Sequence, residues 1–253
     1  MDDAPDKSRK SKIRSLIDKE LRRVNHVFSD FCRARHGFVG QGTITTSTAT
    51  VDVSYTNALG ISFFQNGSNG ETDYWAQGGG GSLGRNPAKS PYTSSLVDNI
   101  PVGTDIIALR FAGSQTLTFS QAVANPVFSY VSLNGNGYGF IDQDFDILSF
   151  GHSPNDIGYW GDGTSFKQVV DLGGGHFEYE LLGTGEPHGT IRFKGAFATL
   201  DWISLSNENW NGFTVGVQGT AQEVFTPEPS SLVLLSIGLV VGISRSYRRR
   251  YRV

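Results

Sequence analysis

From Gly40 onward the chain loses all helical periodicity, and its short alternating runs of Thr, Val and aromatic residues are cut every few positions by Gly, Asn, Asp or Pro. Period-two alternation with breakers at this density buries itself as many short strands joined by turns, which is the pattern of an all-β sandwich or barrel. The runs at 43–55, 105–111, 116–119, 126–133, 145–150, 166–171, 176–182, 189–194, 198–205 and 212–219 are predicted strands. Asn134-Gly135-Asn136-Gly137 and the glycines 173–175 are the strongest turn signals between them. The stretch 66–91, with four glycines at 78–81, holds few residues able to pack and reads as a long mobile loop.

Charge divides the chain into three parts. Residues 1–36 carry ten Lys/Arg against six acids, and the tail from Pro227 carries five arginines against Glu228. Residues 37–226 carry six Lys/Arg against seventeen acids, hence about −11. A surface that acidic repels phosphates, so the central domain is not expected to bind nucleic acid. The single cysteine, Cys32, allows no intrachain disulfide, and the domain must be held by its core alone. About 190 residues suffice for one.

The two ends differ in kind. Ile13, Leu16, Ile17, Leu21, Val24, Val27, Phe28 and Phe31 recur at helical spacing among basic residues, which predicts a basic amphipathic helix within 1–36. Two readings of it stand side by side: a helix lying on an anionic membrane surface, or a gene-model artefact. At the other end, 231–243 contains no charge and is followed by Arg245, Arg248, Arg249, Arg250 and Arg252. Thirteen helical residues reach roughly 20 Å, short of a bilayer core of about 30 Å. Basic side chains that snorkel to the headgroups make up the difference. Arginines stay on the cytoplasmic side, so the expected transmembrane helix 231–243 leaves the C-terminus inside and the preceding domain outside.

Pro227-Glu228-Pro229, the two serines after it, the short apolar helix and the terminal arginines together resemble the PEP-CTERM sorting signal of Gram-negative bacteria, a tail also called the ice-binding protein C-terminal domain. The resemblance covers about a tenth of the chain. It implies an exosortase, an integral-membrane cysteine transpeptidase, as partner, with Pro227, Glu228 and Pro229 as recognition element and the helix and arginines positioning them. It further implies a single-pass inner-membrane protein before processing and a cell-surface or extracellular one afterwards. The segment 201–217 is similar to the closing segment of PEP-CTERM cargo domains, which tend to be jelly-roll-like antiparallel β-sandwiches. That sets the domain at 37–219, with 220–226 a spacer and 227–253 the sorting tail. The role so implied is structural or adhesive within surface exopolysaccharide, with a lectin-like glycan binder and a glycan-active hydrolase as alternatives.

Within the domain several constellations invite chemistry. Asp142, Asp144 and Asp146 would share one face of a strand, and three such carboxylates suit calcium; a solvated, charged strand edge explains them equally. The pairs Tyr74-Trp75 and Tyr159-Trp160 sit among small and polar residues, where an aromatic such as Trp75, Tyr159 or Trp160 can stand out as a platform for a sugar ring or fold over the end of a core. Glu178 and Glu180, with Glu186 nearby, are the pair a hydrolase would use. Gly80-Gly81-Ser82-Leu83-Gly84 has the spacing of a nucleophile elbow without the helix that the elbow needs. His152, His176 and His188 lack zinc spacing and read as surface or turn residues. Thr43, Thr45, Thr48 and Thr50 have no stacked repeat behind them and read as an ordinary Thr-rich strand rather than an ice-binding array. No catalytic residue is assigned, and the chain is not expected to be an enzyme.

Overall fold

The computed structural model describes residues 30–32, 37–68, 70–97, 100–101, 103–151 and 156–225. The strands, in chain order, are β1 (Asp30–Cys32), β2 (Phe38–Thr45), β3 (Thr50–Asn57), β4 (Phe63–Gln65), β5 (Ile106–Leu109), β6 (Gly113–Ala124), β7 (Val127–Val131), β8 (Tyr138–Ile141), β9 (Phe145–Phe150), β10 (Gly163–Gly173), β11 (His176–Gly185), β12 (Gly189–Phe193), β13 (Ala196–Ser204), β14 (Asn211–Gly216) and β15 (Gly219–Thr220). One short helix, α1 (Ala221–Phe225), closes the described chain. All ladders are antiparallel, and they form two sheets. The first runs β1-β2-β3-β6-β13-β8-β11-β10, with β15 on β6; the second runs β4-β5-β14-β7-β12-β9.

The sheets face each other across an aromatic core. Tyr55 and Trp202 of the first sheet meet Phe213 of the second at 5.3 and 5.1 Å between ring centres, and Phe140 meets Phe193 at 4.9 Å. Phe128 stacks on Phe213 at 4.8 Å and turns its edge to Trp202 at 5.3 Å. Edge-to-face pairs of this kind add about 0.5–1.5 kcal/mol each beyond the area they bury. The first sheet keeps a wet outer face: Phe38 and Ile44 of β2 point in, while Gln41, Thr43 and Thr45 point out. The second sheet is covered on both sides, and so β5 (IIAL) and β14 (NGFTVG) are buried at every position and show no alternation.

What covers that second face is the glycine-rich segment itself. Trp75 and Tyr92, both fully buried, pack with Ile106, Ala108 and Val131 into a satellite core, so the expected mobile loop is a packed layer. The run expected as one strand at 43–55 is a hairpin, β2 and β3, whose turn closes through Thr46 N–H on the Ala49 carbonyl at 2.8 Å. Residues 30–32, expected at the end of a helix, pair as β1 with Val39, Gly40 and Gln41. The rest of the basic segment lies outside the described residues, as does the transmembrane helix expected at 231–243. Among the described residues no helix is long and apolar enough to cross a membrane. The spacer 220–226 is folded as far as Phe225.

Candidate functional site

The connections at one end of the sandwich carry an aromatic cluster, half-buried except for the exposed Trp160. A tight turn at 158–161 presents Tyr159 and Trp160: Gly158 N–H donates to the Gly161 carbonyl at 2.9 Å and to Nε2 of the buried His188 at 2.8 Å. Gly161, at φ 145°, takes a backbone conformation that a side chain would resist. From the covering segment, Gly80 N–H donates to the Tyr159 carbonyl at 3.0 Å. A Cβ at Gly81 would stand 3.2 Å from the Tyr159 ring, so glycine there permits the close approach. The GGSLG spacing thus belongs to a loop that supports an aromatic, followed only by a three-residue 3-10 turn, Pro87–Lys89, and not by an α-helix.

Tyr74 lies 5.0 Å from Tyr159, 6.1 Å from Trp160 and 4.9 Å from Trp210, and Phe63 lies 4.9 Å behind Trp210. Trp160 remains 48% exposed. Of the residues expected to form a platform, Trp160 is exposed with Tyr159 4.7 Å from it, whereas Trp75 is not at the surface. Trp75 is wholly buried, with its ring 5.1 Å from Tyr92 and its Nε1 donating to the Asp105 carbonyl at 3.2 Å. Its neighbour Tyr74 takes its place. Trp210 was missed, although it too sits in a polar setting, between Asn209 and Asn211-Gly212.

Carboxylates and amides stand on the neighbouring connections. Glu186 anchors to the same turn, its N–H donating to the Asp162 carbonyl at 3.0 Å, and its carboxylate accepts from Ser132 Oγ at 2.9 Å and from Asn134 Nδ2. Glu208, two residues before Trp210, accepts from Asn211 Nδ2 at 2.9 Å. Asn211 in turn accepts from the buried Tyr138 hydroxyl. Burial, reinforced by the charge of Glu186, pushes the Glu208 carboxyl up to about 7, so it carries a proton part of the time at neutral pH. The expected acid pair is elsewhere. Glu178 and Glu180 lie on β11, paired with Ile141 and Gly139 of β8, where burial and the neighbouring Glu178 push Glu180 upward. They are not part of the aromatic site.

The aspartate triplet is dispersed. Residues 142–144 form the crossing between β8 in one sheet and β9 in the other, so the strand that was to align the carboxylates is interrupted. Asp142, at φ 55°, pairs with His176 Nδ1 at 2.6 Å and the Phe177 N–H at 2.9 Å, and these hold its carboxyl below the usual range. Burial pushes Asp144 up, but Lys167 and Lys194, at 2.8 and 2.9 Å, outweigh it and hold that carboxyl low. Asp146 pairs with Lys194 at 2.8 Å and Arg192 at 3.6 Å. Among the described residues no three His, Cys, Asp or Glu side chains stand together as a metal site. His152 lies outside the described residues, and His188, expected at the surface or in a turn, lies in the connection between β11 and β12 but is fully buried.

The C-terminal edge of the domain is fastened at one carboxylate. Glu223 Oε1 accepts from Thr46 Oγ1 at 3.0 Å, Ser47 Oγ at 2.6 Å, and the N–H and Oγ1 of Thr48 at 2.8 and 2.7 Å. Its Oε2 accepts from Thr220 N–H at 2.6 Å while Thr220 Oγ1 accepts from Glu223 N–H at 3.1 Å, a reciprocal cap on α1.

The fold and these features define an all-β antiparallel domain, consistent with a β-sandwich, whose last turn of helix is pinned to a strand hairpin. Beginning at that helix, residues 225–250 match the PEP-CTERM protein-sorting motif, which implies an exosortase-processed, membrane-anchored and then surface-exported protein. Pro227, Glu228, Pro229 and Arg245, Arg248, Arg249 and Arg250 fall inside the match; these and Arg252 lie outside the described residues. No curated protein and no solved structure matches the chain.

Proposed function

We propose that this chain is a structural or adhesive component of bacterial surface exopolysaccharide, delivered by an exosortase and acting without catalysis. One observation carries the reading: the sorting match starts at residue 225, the final residue of α1, so the recognition element follows the folded domain directly. Before processing, the protein spans the inner membrane once with its C-terminus in the cytoplasm; afterwards the acidic domain stands in a hydrated matrix, where its charge keeps it soluble. The crossing of the chain between sheets at nearly every connection from β6 to β15 supports the jelly-roll likeness. The reading requires no metal.

Fractionation of cells carrying Glu228→Ala, or lacking Arg248 to Arg250, tests the delivery. Both variants are expected to remain uncleaved in the inner-membrane fraction. Release of both at the normal rate and size would refute it.

A further inference from the structure

We propose that the loop end of the domain is a carbohydrate-binding surface on which Trp160, backed by Tyr74, Tyr159 and Trp210, stacks against a hexopyranose ring of an uncharged polysaccharide while Glu186, Glu208 and Asn134 bind its hydroxyls. This deepens the adhesive reading and takes from it only the source of the ligand.

The first support is an exposed indole that is also fixed. Trp160 is 48% open to water, yet its turn is tied by two hydrogen bonds from Gly158, and its ring lies 4.7 Å from Tyr159 and 6.4 Å from Trp210. A ring immobilised before contact loses little further freedom on binding. An isolated exposed aromatic needs no explanation, but Trp160 together with the half-buried Tyr74, Tyr159 and Trp210 of the neighbouring loops forms a contiguous apolar surface of the kind that marks a binding site.

The second is the neighbouring polar set. A pyranose presents an apolar C–H face and an equatorial ring of hydroxyls, so its complement is an aromatic plane edged by carboxylates and amides. Glu208 stands on the same connection as Trp210, and Glu186, between β11 and β12, is tied by its N–H to Asp162, two residues after Trp160; both are only partly buried. A carboxylate has about four lone-pair positions, and the internal partners of each leave room for a sugar hydroxyl.

The third is charge, which selects among polysaccharides. Glu186, joined for part of the time by a charged Glu208, on a domain of about −11, repels uronates, sulfates and phosphates. An uncharged chain meets no such barrier.

The test uses the full-length protein in detergent, with tryptophan emission and calorimetry read against glucose and mannose hexasaccharides and against hexagalacturonate. At least one neutral hexasaccharide is expected to bind and alter the emission. Trp160→Ala should weaken it about tenfold, the scale of one lost ring contact. Trp160→Tyr should retain most of the affinity, and Phe166→Ala, an exposed aromatic on β10, should change nothing. Circular dichroism confirms that each variant is folded. Absence of binding to all three probes overturns the proposal, as does hexagalacturonate binding at least as tightly as the neutral chains. Equal effects of Trp160→Ala and Phe166→Ala overturn it too, because the contact is then nonspecific. Since purified protein is used, these outcomes are independent of whether the sorting test succeeds.

Discussion

Nε2 of His188 accepts the backbone N–H of Gly158 at 2.8 Å from a ring with no exposed surface, so a buried neutral imidazole holds the turn that presents Trp160. An acceptor at Nε2 leaves the proton on Nδ1. Burial pushes this imidazole down to about 4, against a weaker pull upward from the Gly161 carbonyl and Asp162.

The pH consequence has a definite sign. Because the folded value lies below the unfolded 6.5, the unfolded chain binds the extra proton first, and stability drains away as pH falls from about 6.5 to about 4. The full effect is on the order of 3 kcal/mol. His188→Ala should lower stability at pH 7.5 by roughly 2–4 kcal/mol through the lost ring and the orphaned N–H. It should also flatten the decline across that window in urea titrations. A decline of unchanged steepness in the variant would assign it to other groups.

Glycine 158 should be far less replaceable than Gly139. A Cβ at Gly158 would come 2.5–2.6 Å from three atoms of the His188 ring, itself locked in the core. At Gly139 the new methyl meets the end of the Glu178 side chain, which can swing away. Gly158→Ala is expected to destabilise by about 2–4 kcal/mol, and Gly139→Ala by under about 1 kcal/mol. Thermal melts of the two single variants would check the order.

Much of this architecture is written locally in the sequence, and the exceptions share a cause. The wet alternation of β2 and β3 and the three glycines at 173–175, all at positive φ, are legible because each depends on a few adjacent residues. The turn between β2 and β3 is not legible, since Thr46-Ser47-Thr48-Ala49 contains no turn-forming Gly, Pro or Asn and is held by Glu223, more than 170 residues away. Tyr74 and Trp75 are adjacent aromatics in similar settings. Which of them turns inward is decided by Tyr92 and the Asp105 carbonyl, which lie further along the chain, the latter immediately before β5. The aspartate triplet fails for a related reason: spacing aligns side chains only within one strand, and here the chain changes sheets between the first and third.

Glu208 titrates in the opposite sense to His188. Its carboxyl, raised to about 7 by burial and then by Glu186, binds its proton more tightly folded than unfolded. The associated stability is complete below about 4.5 and is lost as pH rises through about 7. Glu208→Gln removes the charge and keeps an acceptor for Asn211. It should be more stable than the parent at pH 8 by roughly 1 kcal/mol, discounted for the solvent-facing part of the side chain. At pH 4.5 the two proteins should melt together, and a gain that persists there would point to packing instead.

Glu223 fixes where the sorting tail leaves the domain. Burial pushes its carboxyl up, but donors from Ser47, Thr48, Thr220 and Thr46 outweigh that and hold it far below the ordinary glutamate value. Its contribution is therefore present above the unfolded value of 4.5 and is lost as pH falls beneath it. From Glu223 to Pro227 is four residues, at most about 14 Å of extended chain. As long as the clamp holds, the folded domain stays that close to the recognition element. Glu223→Ala removes both the cap and the tie to the hairpin, with an expected loss of about 1–2 kcal/mol and fraying of α1. Glu223→Gln still supplies an acceptor and can cap, and it should fall between the two. Limited proteolysis at neutral pH, followed by mass spectrometry of cuts within 221–229, should give rates in the order parent, Gln, Ala. Equal rates for all three would show that this carboxylate does not govern access to the tail.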